Sequence, residues 1–357
     1  MHMADALLSP IVGTAFWAAS GSTLVWCSRR LRNDTRDHLV PLMGVLGAFI
    51  FAAQMINFSI PATGSSGHIG GGLLLSIVVG GPAAFVVITS VLTVQALFFA
   101  DGGLLALGAN IFNLGFFPCF IAYPLIYLPL LRGAGNAPSR RRLTAVTCFA
   151  AIIGLQLGAV GVVSGTQLSG VSSLPLGAFL SLMLPIHFAI GFVEGLATVA
   201  IVEFIHEAQP DLVDGGLSMS NSSHPTGLFP TRIIAMLACA ALVTGGMLSW
   251  FASSNPDGLE WSIEQVTGKP EITESTSIHH GLAQLQHQLA LMPDYNFSPS
   301  DKPDAAAASK TDPQQAWPAV DAGSSFAGVI GGLVTLILVM GIGYLLRPRR
   351  TRQSQSA

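Results

Sequence analysis

Charge is what this sequence has least of. Of its 357 residues, 10% are Asp, Glu, Lys or Arg, against roughly 25% in a soluble domain. With 51% hydrophobic residues and a mean hydropathy of +0.60, the chain reads as an all-α polytopic membrane protein. Lysine is the scarcest cation. The three lysines, Lys269, Lys302 and Lys310, lie in one long polar stretch, so no basic patch offers itself to nucleic acid. Cysteine is sparse too. Cys27, Cys119, Cys148 and Cys239 are scattered through apolar runs with no CxxC spacing, which argues for buried thiols rather than a disulfide or zinc framework. No GxxxxGK[ST] occurs, and Gly268-Lys269-Pro270 lacks the rest of that pattern, so the chain carries no recognisable ATP site. No charged leader or apolar run precedes Ser9, which argues against a signal peptide.

What is present is a series of apolar runs, at about 10–28, 39–60, 69–80, 83–100, 104–131, 143–163, 176–205, 231–251 and 326–346. A crossing needs about 20 residues, so 69–80 is expected to be tilted or broken. Ser9 can cap the first helix and Pro10 suits its first turn. All thirteen arginines fall at 29–36, 132–142, 232 and 347–352. If 69–80 crosses, every cluster lies on one side, which the positive-inside rule makes the cytoplasm. The N-terminus is then extracytoplasmic, the C-terminus cytoplasmic, and the membrane a cell (inner) membrane. Three parts are expected: a seven-helix domain at 1–206, a cytoplasmic linker at 207–229, and a two-helix part at 230–350. The loop from 252 to 325 is extracytoplasmic, and its middle, about 299–309, reads as disordered.

The start, Met1-His2-Met3-Ala4-Asp5-Ala6-Leu7-Leu8-Ser9-Pro10, places three nitrogens within chelating reach. The amine of Met1 and the amide of His2 close a five-membered ring, and that amide with Nδ1 of His2 closes a six-membered one. Planar nitrogen ligation suits Ni(II) or Cu(II). Met1 is expected to be retained, because initiator methionine is normally trimmed only ahead of a small residue. Alone, His2 reads as an accident of a frayed terminus. The topology puts His68, in the glycine-rich loop Gly64–Gly72, on the same face, and the pair shifts the balance toward a metal site. His187 and Glu194 project from nearly one helical face and read equally as a functional pair or as packing glue. Gln95, Asp101, Asn110 and Asn113 form a polar cluster near the outer ends of two spans, either orienting a ligand histidine or bonding helices together. Ala15 and Ala19, with Ala18 and Ser22, give the first helix a small-residue stripe. His279, His280 and His287 read as solvated loop residues.

These motifs carry a resemblance. The first ten residues, Ser66-Gly67-His68 with its glycines, Gly108-Ala109-Asn110-Ile111-Phe112-Asn113, and His187 through Glu194 resemble the CbiM/NikM proteins, the substrate-specific membrane components of energy-coupling factor (ECF) transporters for cobalt or nickel. Pro256-Asp257-Gly258-Leu259-Glu260 resembles the PDGLE motif of the CbiN/NikN component, so the whole chain is similar to a fused NikMN-type protein. The resemblance implies metal ligation by Met1, His2 and His68, and a coupling-subunit contact at Ala15 and Ala19. It also implies a separate CbiQ/NikQ-like coupling protein in the same bilayer and cytoplasmic CbiO/NikO-like ATPases.

The expectation is therefore a non-enzymatic capture subunit for Ni(II) or Co(II) as transported substrate, with no catalytic cofactor. Planar nitrogen ligands favour nickel over the usually tetrahedral zinc. Two alternatives remain at this point. One is an intramembrane enzyme linked to cobalamin synthesis, with His187 and Glu194 as its acid–base pair. The other is a stand-alone secondary permease, although the His-x4-Asp-His run of such permeases is missing.

Overall fold

The computed structural model describes residues 2–34, 36, 38–132, 139–171, 174–208, 231–269, 272, 276–297 and 317–346. Met1, the linker from 209 to 230, the segment 298–316 and the arginine tail from 347 lie outside the described residues. The chain is helical apart from a two-stranded antiparallel ribbon that pairs β1 (Phe58–Ser59) with β2 (Ser66–Gly67).

Local signals set the helix ends. In α1 (Pro10–Leu31) the Ser9 hydroxyl accepts from the Val12 N–H and Pro10 occupies the first turn, as the sequence suggests. After α2 (Leu39–Gln54), α3 (Gly72–Val79) is only eight residues long and buried throughout. At 1.5 Å per residue α3 reaches about 12 Å, well short of a hydrocarbon core of about 30 Å. The helix in the 69–80 stretch is thus too short to cross by itself. Gly80, at φ 90°, separates α3 from α4 (Gly81–Phe98) in a backbone region that glycine enters at no steric cost. The helix α5 (Leu107–Arg132) is π-helical from Phe112 to Tyr127, where Pro118 and Pro124 remove backbone donors. Then come α6 (Arg140–Ser169) and α7 (Leu176–Ala208), which pack along one another.

The C-terminal part adds α8 (Thr231–Gly246), the short α9 (Gly258–Thr267) and α10 (Ser277–Leu289), and α11 (Ala322–Leu346). Both α8 and α11 lie against α2. Helices α4, α5, α6, α7 and α11 are long and apolar enough to cross a membrane, and α2 and α8 are shorter apolar helices. In α4, 72% of the apolar window is buried inside the protein, against 28% in α11, so α4 is the axis of the bundle and α11 a peripheral helix.

The α8–α11 crossing depends on a glycine pair. A Cβ on Gly328 would sit 2.3 Å from the Gly245 carbonyl oxygen, so only glycine permits the approach. Replacing Gly328 with leucine should force the helices apart and cost about 1–3 kcal/mol. The expected readout is a lower thermal midpoint for purified protein in detergent. Gly341→Leu on the same helix, where a Cβ meets nothing within 4 Å, should leave the midpoint unchanged.

Candidate metal centre

The chain's first residues run into the bundle. Met3 and Leu8 are fully buried, so their main-chain polar groups need internal partners. Asn110 provides two: its Oδ1 accepts from the Met3 N–H at 2.8 Å and its Nδ2 donates to the Met3 carbonyl at 3.3 Å. The Gly103 N–H also donates to Met3, and Asp5 Oδ1 accepts from the Ala106 N–H at 2.9 Å. His2 is thereby held against the loop that carries His68. The two imidazoles lie 5.2 Å apart, nearly parallel at 18°.

The loop is fixed from below by Glu194. Its two oxygens accept the N–H groups of Gly70, at 2.7 Å, and Gly71, at 3.2 Å. Gly71 takes φ 79°, which its lack of a Cβ permits. Gln54 adds a bond to the Gly70 carbonyl and accepts one from Gln95 Nε2. The Nδ1–H of His68 donates to the Ile69 carbonyl at 3.0 Å, which directs Nε2 outward as the lone-pair nitrogen. His2 Nδ1 lies 3.1 Å from Asp101 Oδ1, and Asp101 Oδ2 accepts from the Tyr295 hydroxyl at 2.5 Å. The chelate read from the sequence uses Nδ1 of His2, so the ring must turn from Asp101 to form it. Burial lowers the pKa of His2, and burial with the facing His2 ring lowers that of His68 well below the ordinary imidazole value. Both are held neutral, the state a metal ligand needs.

Other expectations resolve as follows. Glu194 spends both oxygens on the loop, so it supports His68 rather than pairing with His187. His187 is buried, bonds the Met183 carbonyl through Nδ1, and shares a small cavity with His68 and Gly258. Asn113 is buried on α5, with neither amide atom partnered among the described residues. Met1 falls outside the described residues. Ala15 and Ala18 are exposed on α1 and Ala19 is half-buried. The solvated reading of His279 is overturned. It is fully buried, and its Nε2 lies 3.0 Å from the Leu8 carbonyl, tying α10 to the N-terminal segment.

The C-terminal part supplies contacts that sequence reasoning missed. Pro256 accepts the Ser66 N–H at 2.8 Å. Asp257 caps α9, accepting from Leu259 and Glu260, while Glu260 returns a bond to the Asp257 N–H. Burial would raise the Asp257 carboxyl, but nearby positive charge, the Glu260 N–H and His68 hold it far below the usual range. Asp-x-x-Glu is a capping-box signal and could have been read. The Gln286 side chain donates to the Ala96 and Gly102 carbonyls, and the Leu291 and Met292 N–H groups to that of Phe98. Together the two parts enclose a cavity of about 600 Å³ that reaches His2 and His68.

Fold and site thus define a polytopic membrane protein with paired buried imidazoles beneath a polar cavity shared by its two parts. Residues 2–212 match the family model described as the cobalt uptake substrate-specific transmembrane region, CbiM, and residues 231–348 match the PDGLE domain. The chain belongs to the CbiM family of nickel and cobalt transport proteins, in the fused arrangement with a PDGLE domain. A protein of Archaeoglobus fulgidus provisionally named fused nickel transport protein NikMN is 30% identical over 363 residues, covering 100% of both chains. The cobalt transport protein CbiM of Sorangium cellulosum is 28% identical, covering 60% of this chain and 95% of its own. A crystal structure of a truncated transition metal transporter is 28% identical with a TM-score of 0.51, covering 58% of this chain and 99% of that one.

Glu194→Ala should orphan the Gly70 and Gly71 donors, at about 1–3 kcal/mol for each buried N–H. Hydrogen–deuterium exchange at these two amides is expected to accelerate together with a loss of thermal stability. Unchanged exchange would remove Glu194 from its supporting role.

Proposed function

We propose that this chain is the substrate-binding membrane subunit of an ATP-driven ECF-type importer for Ni(II) or Co(II). It captures the ion with the Met1 amine, the amide and imidazole nitrogens of His2, and His68. The observation that carries the reading is the stacked, neutral His2–His68 pair at the floor of the cavity. In the proposed planar set His68 lies opposite the His2 amide and cis to the His2 ring, so metal–nitrogen bonds of about 2.0–2.1 Å would place the two centroids about 4.5 Å apart. The observed 5.2 Å leaves the rings to draw closer on binding. Among the described residues no group of three or more His, Cys, Asp and Glu could hold a metal, so the set relies on main-chain nitrogens. The family's nickel and cobalt transport names support the choice of ion.

Energy would come from a CbiQ/NikQ-like coupling protein and CbiO/NikO-like ATPases. The exposed small side chains of Ala15, Ala18 and Ser22 on α1, beside Ala19, offer the coupling protein a surface for close helix approach. The N-terminus faces the extracytoplasmic side, where the ion arrives. Residues 1–206 form the capture domain, and 230–350 the PDGLE domain that covers it.

Adding one residue before Met1 should remove the terminal amine and weaken Ni(II) binding by about 100-fold or more, read by calorimetry on purified protein. His68→Ala should also weaken it severely, and unchanged affinity in the extended protein refutes the ligand set.

Binding should also weaken as pH falls. The amide must lose its proton to ligate, which imposes a slope throughout. The imidazoles add to it in a defined window. Their folded-state pKa values lie below the ordinary value of about 6.5, so both are neutral above that pH and gain protons only as pH drops below it. Ni(II) affinity should therefore fall more steeply only once pH has dropped beneath the ordinary imidazole range. A flat profile from neutral to mildly acid pH contradicts the site.

A further inference from the structure

The helix α10 presents three different faces. At about 100° per residue, Ile278, Leu282, Leu285 and Leu289 fall on one stripe, and His280, Gln284, His287 and Gln288 on another about 145° away. His279 and Gln286 point to a third side, about 80° from the apolar stripe. That third side meets the bundle. Both residues are buried, His279 with its Nε2 3.0 Å from the Leu8 carbonyl and Gln286 donating to the Ala96 and Gly102 carbonyls. A helix resting on a bundle in water buries its apolar stripe and turns its polar residues outward. Here the polar pair is buried, while Ile278, Leu285 and Leu289 are 51%, 46% and 45% exposed.

The surroundings of α10 identify what covers that stripe. Its first turn is tied to Leu8, two residues before α1 begins at Pro10. Just past its last turn, Leu291 and Met292 bond the Phe98 carbonyl at the end of α4. Farther on, Phe297 packs against Phe326 of α11, with ring centroids 5.5 Å apart and both rings exposed. Since α11 is long and apolar enough to cross a membrane, the outward apolar surface near α10 continues into a lipid-facing one. Trp317 and Phe251 meet edge to face at the same ends of α11 and α8, as aromatic side chains do at headgroup level. A helix lying at that level beside a bundle has protein to one side, acyl chains beneath and water above. The three faces of α10 match this arrangement.

We infer that α10 lies in the headgroup–acyl boundary on the side of the membrane that carries the N-terminus, its apolar stripe sunk in lipid and its polar stripe in water. Such helices embed by about 5–10 Å. The helix has no Asp, Glu, Lys or Arg, so apolar burial drives its insertion and anionic headgroups are not needed. Through His279 and Gln286 the bilayer then bears on the segment that carries His2.

The test uses the full chain in phosphatidylcholine nanodiscs, with Cys239→Ser because Cys27, Cys119 and Cys148 are buried. Bimane is attached to single cysteines on the apolar stripe (Ile278→Cys, Leu285→Cys, Leu289→Cys) and on the polar stripe (His280→Cys, Gln284→Cys, Gln288→Cys). All six positions are exposed, and three per stripe leave a decision standing if one variant fails to fold. Lipid brominated near the headgroup should lower emission about 2-fold or more along the apolar stripe, which aqueous iodide should not reach. The polar stripe should show the reverse. Iodide quenching both stripes alike would place α10 in water, and an apolar stripe shielded from both quenchers would be covered by another protein. Either result overturns the inference.

Discussion

Burying the first residues of a chain imposes a constraint that organises the rest of this molecule. A terminus inside a bundle brings main-chain donors and acceptors with no helix or sheet to satisfy them, and each orphan costs free energy comparable to a lost hydrogen bond. Here the partners come from α5 and the loop before it. Asn110 serves Met3 twice, Gly103 serves it again, and Asp5 reaches the Ala106 N–H. The requirement explains why α5 begins with a buried polar side chain and why the α4–α5 loop carries Gly102 and Gly103. A Cβ on Gly103 would collide with Asp5 at 1.9 Å. Fixing the main chain of Met3 and the side chain of Asp5 in this way delivers His2 to His68.

The same logic accounts for the PDGLE motif. Pro256 has no N–H of its own to satisfy, and its carbonyl takes the donor of Ser66. Asp257 and Glu260 close the capping box of α9. Gly258 lies where a Cβ would meet Ile186 at 2.5 Å, and Leu259 is 2% exposed. Five residues thus seat one short helix on α7 and on the strand preceding His68. The segment after α10 repeats the tactic at the opposite wall, with Tyr295 on Asp101 and stacked on Phe99 at 4.8 Å.

Local features were legible before the structure. The Ser9–Pro10 start of α1, the interruption at 69–80 and the meeting of His2 with His68 accord with the capping chemistry, spacing and glycine-rich loop read from the sequence. So does a role for Asn110 near the site, although not its particular work on Met3. The rest depended on long-range pairing that no periodicity encodes. His279 meets Leu8 across 271 positions, and Tyr295 meets Asp101 across 194. A histidine in a polar stretch looks solvated until the surface that buries it is known. Gln54 left a readable trace that went unused. It is a lone amide at the end of an apolar run, and in a membrane protein such a group must find partners, here Gly70 and Gln95.

In the capture site proposed above, oxygen and nitrogen donors would meet two demands that a single site sets against each other. A carboxylate cage tight enough to fix an ion would retain calcium or magnesium, which are far more abundant and take oxygen ligands. A purely nitrogen site prefers late first-row metals but exerts no long-range pull on a hydrated dication. Here the carboxylates have other work. Asp5 and Asp257 accept from backbone donors, while Asp101 is held between His2 and Tyr295. Among the described residues they do not converge into a cage. Three of the five carboxylates that line the cavity, Asp257, Glu260 and Asp294, lie on the C-terminal part, so its polar lining depends on that part being docked against the N-terminal domain.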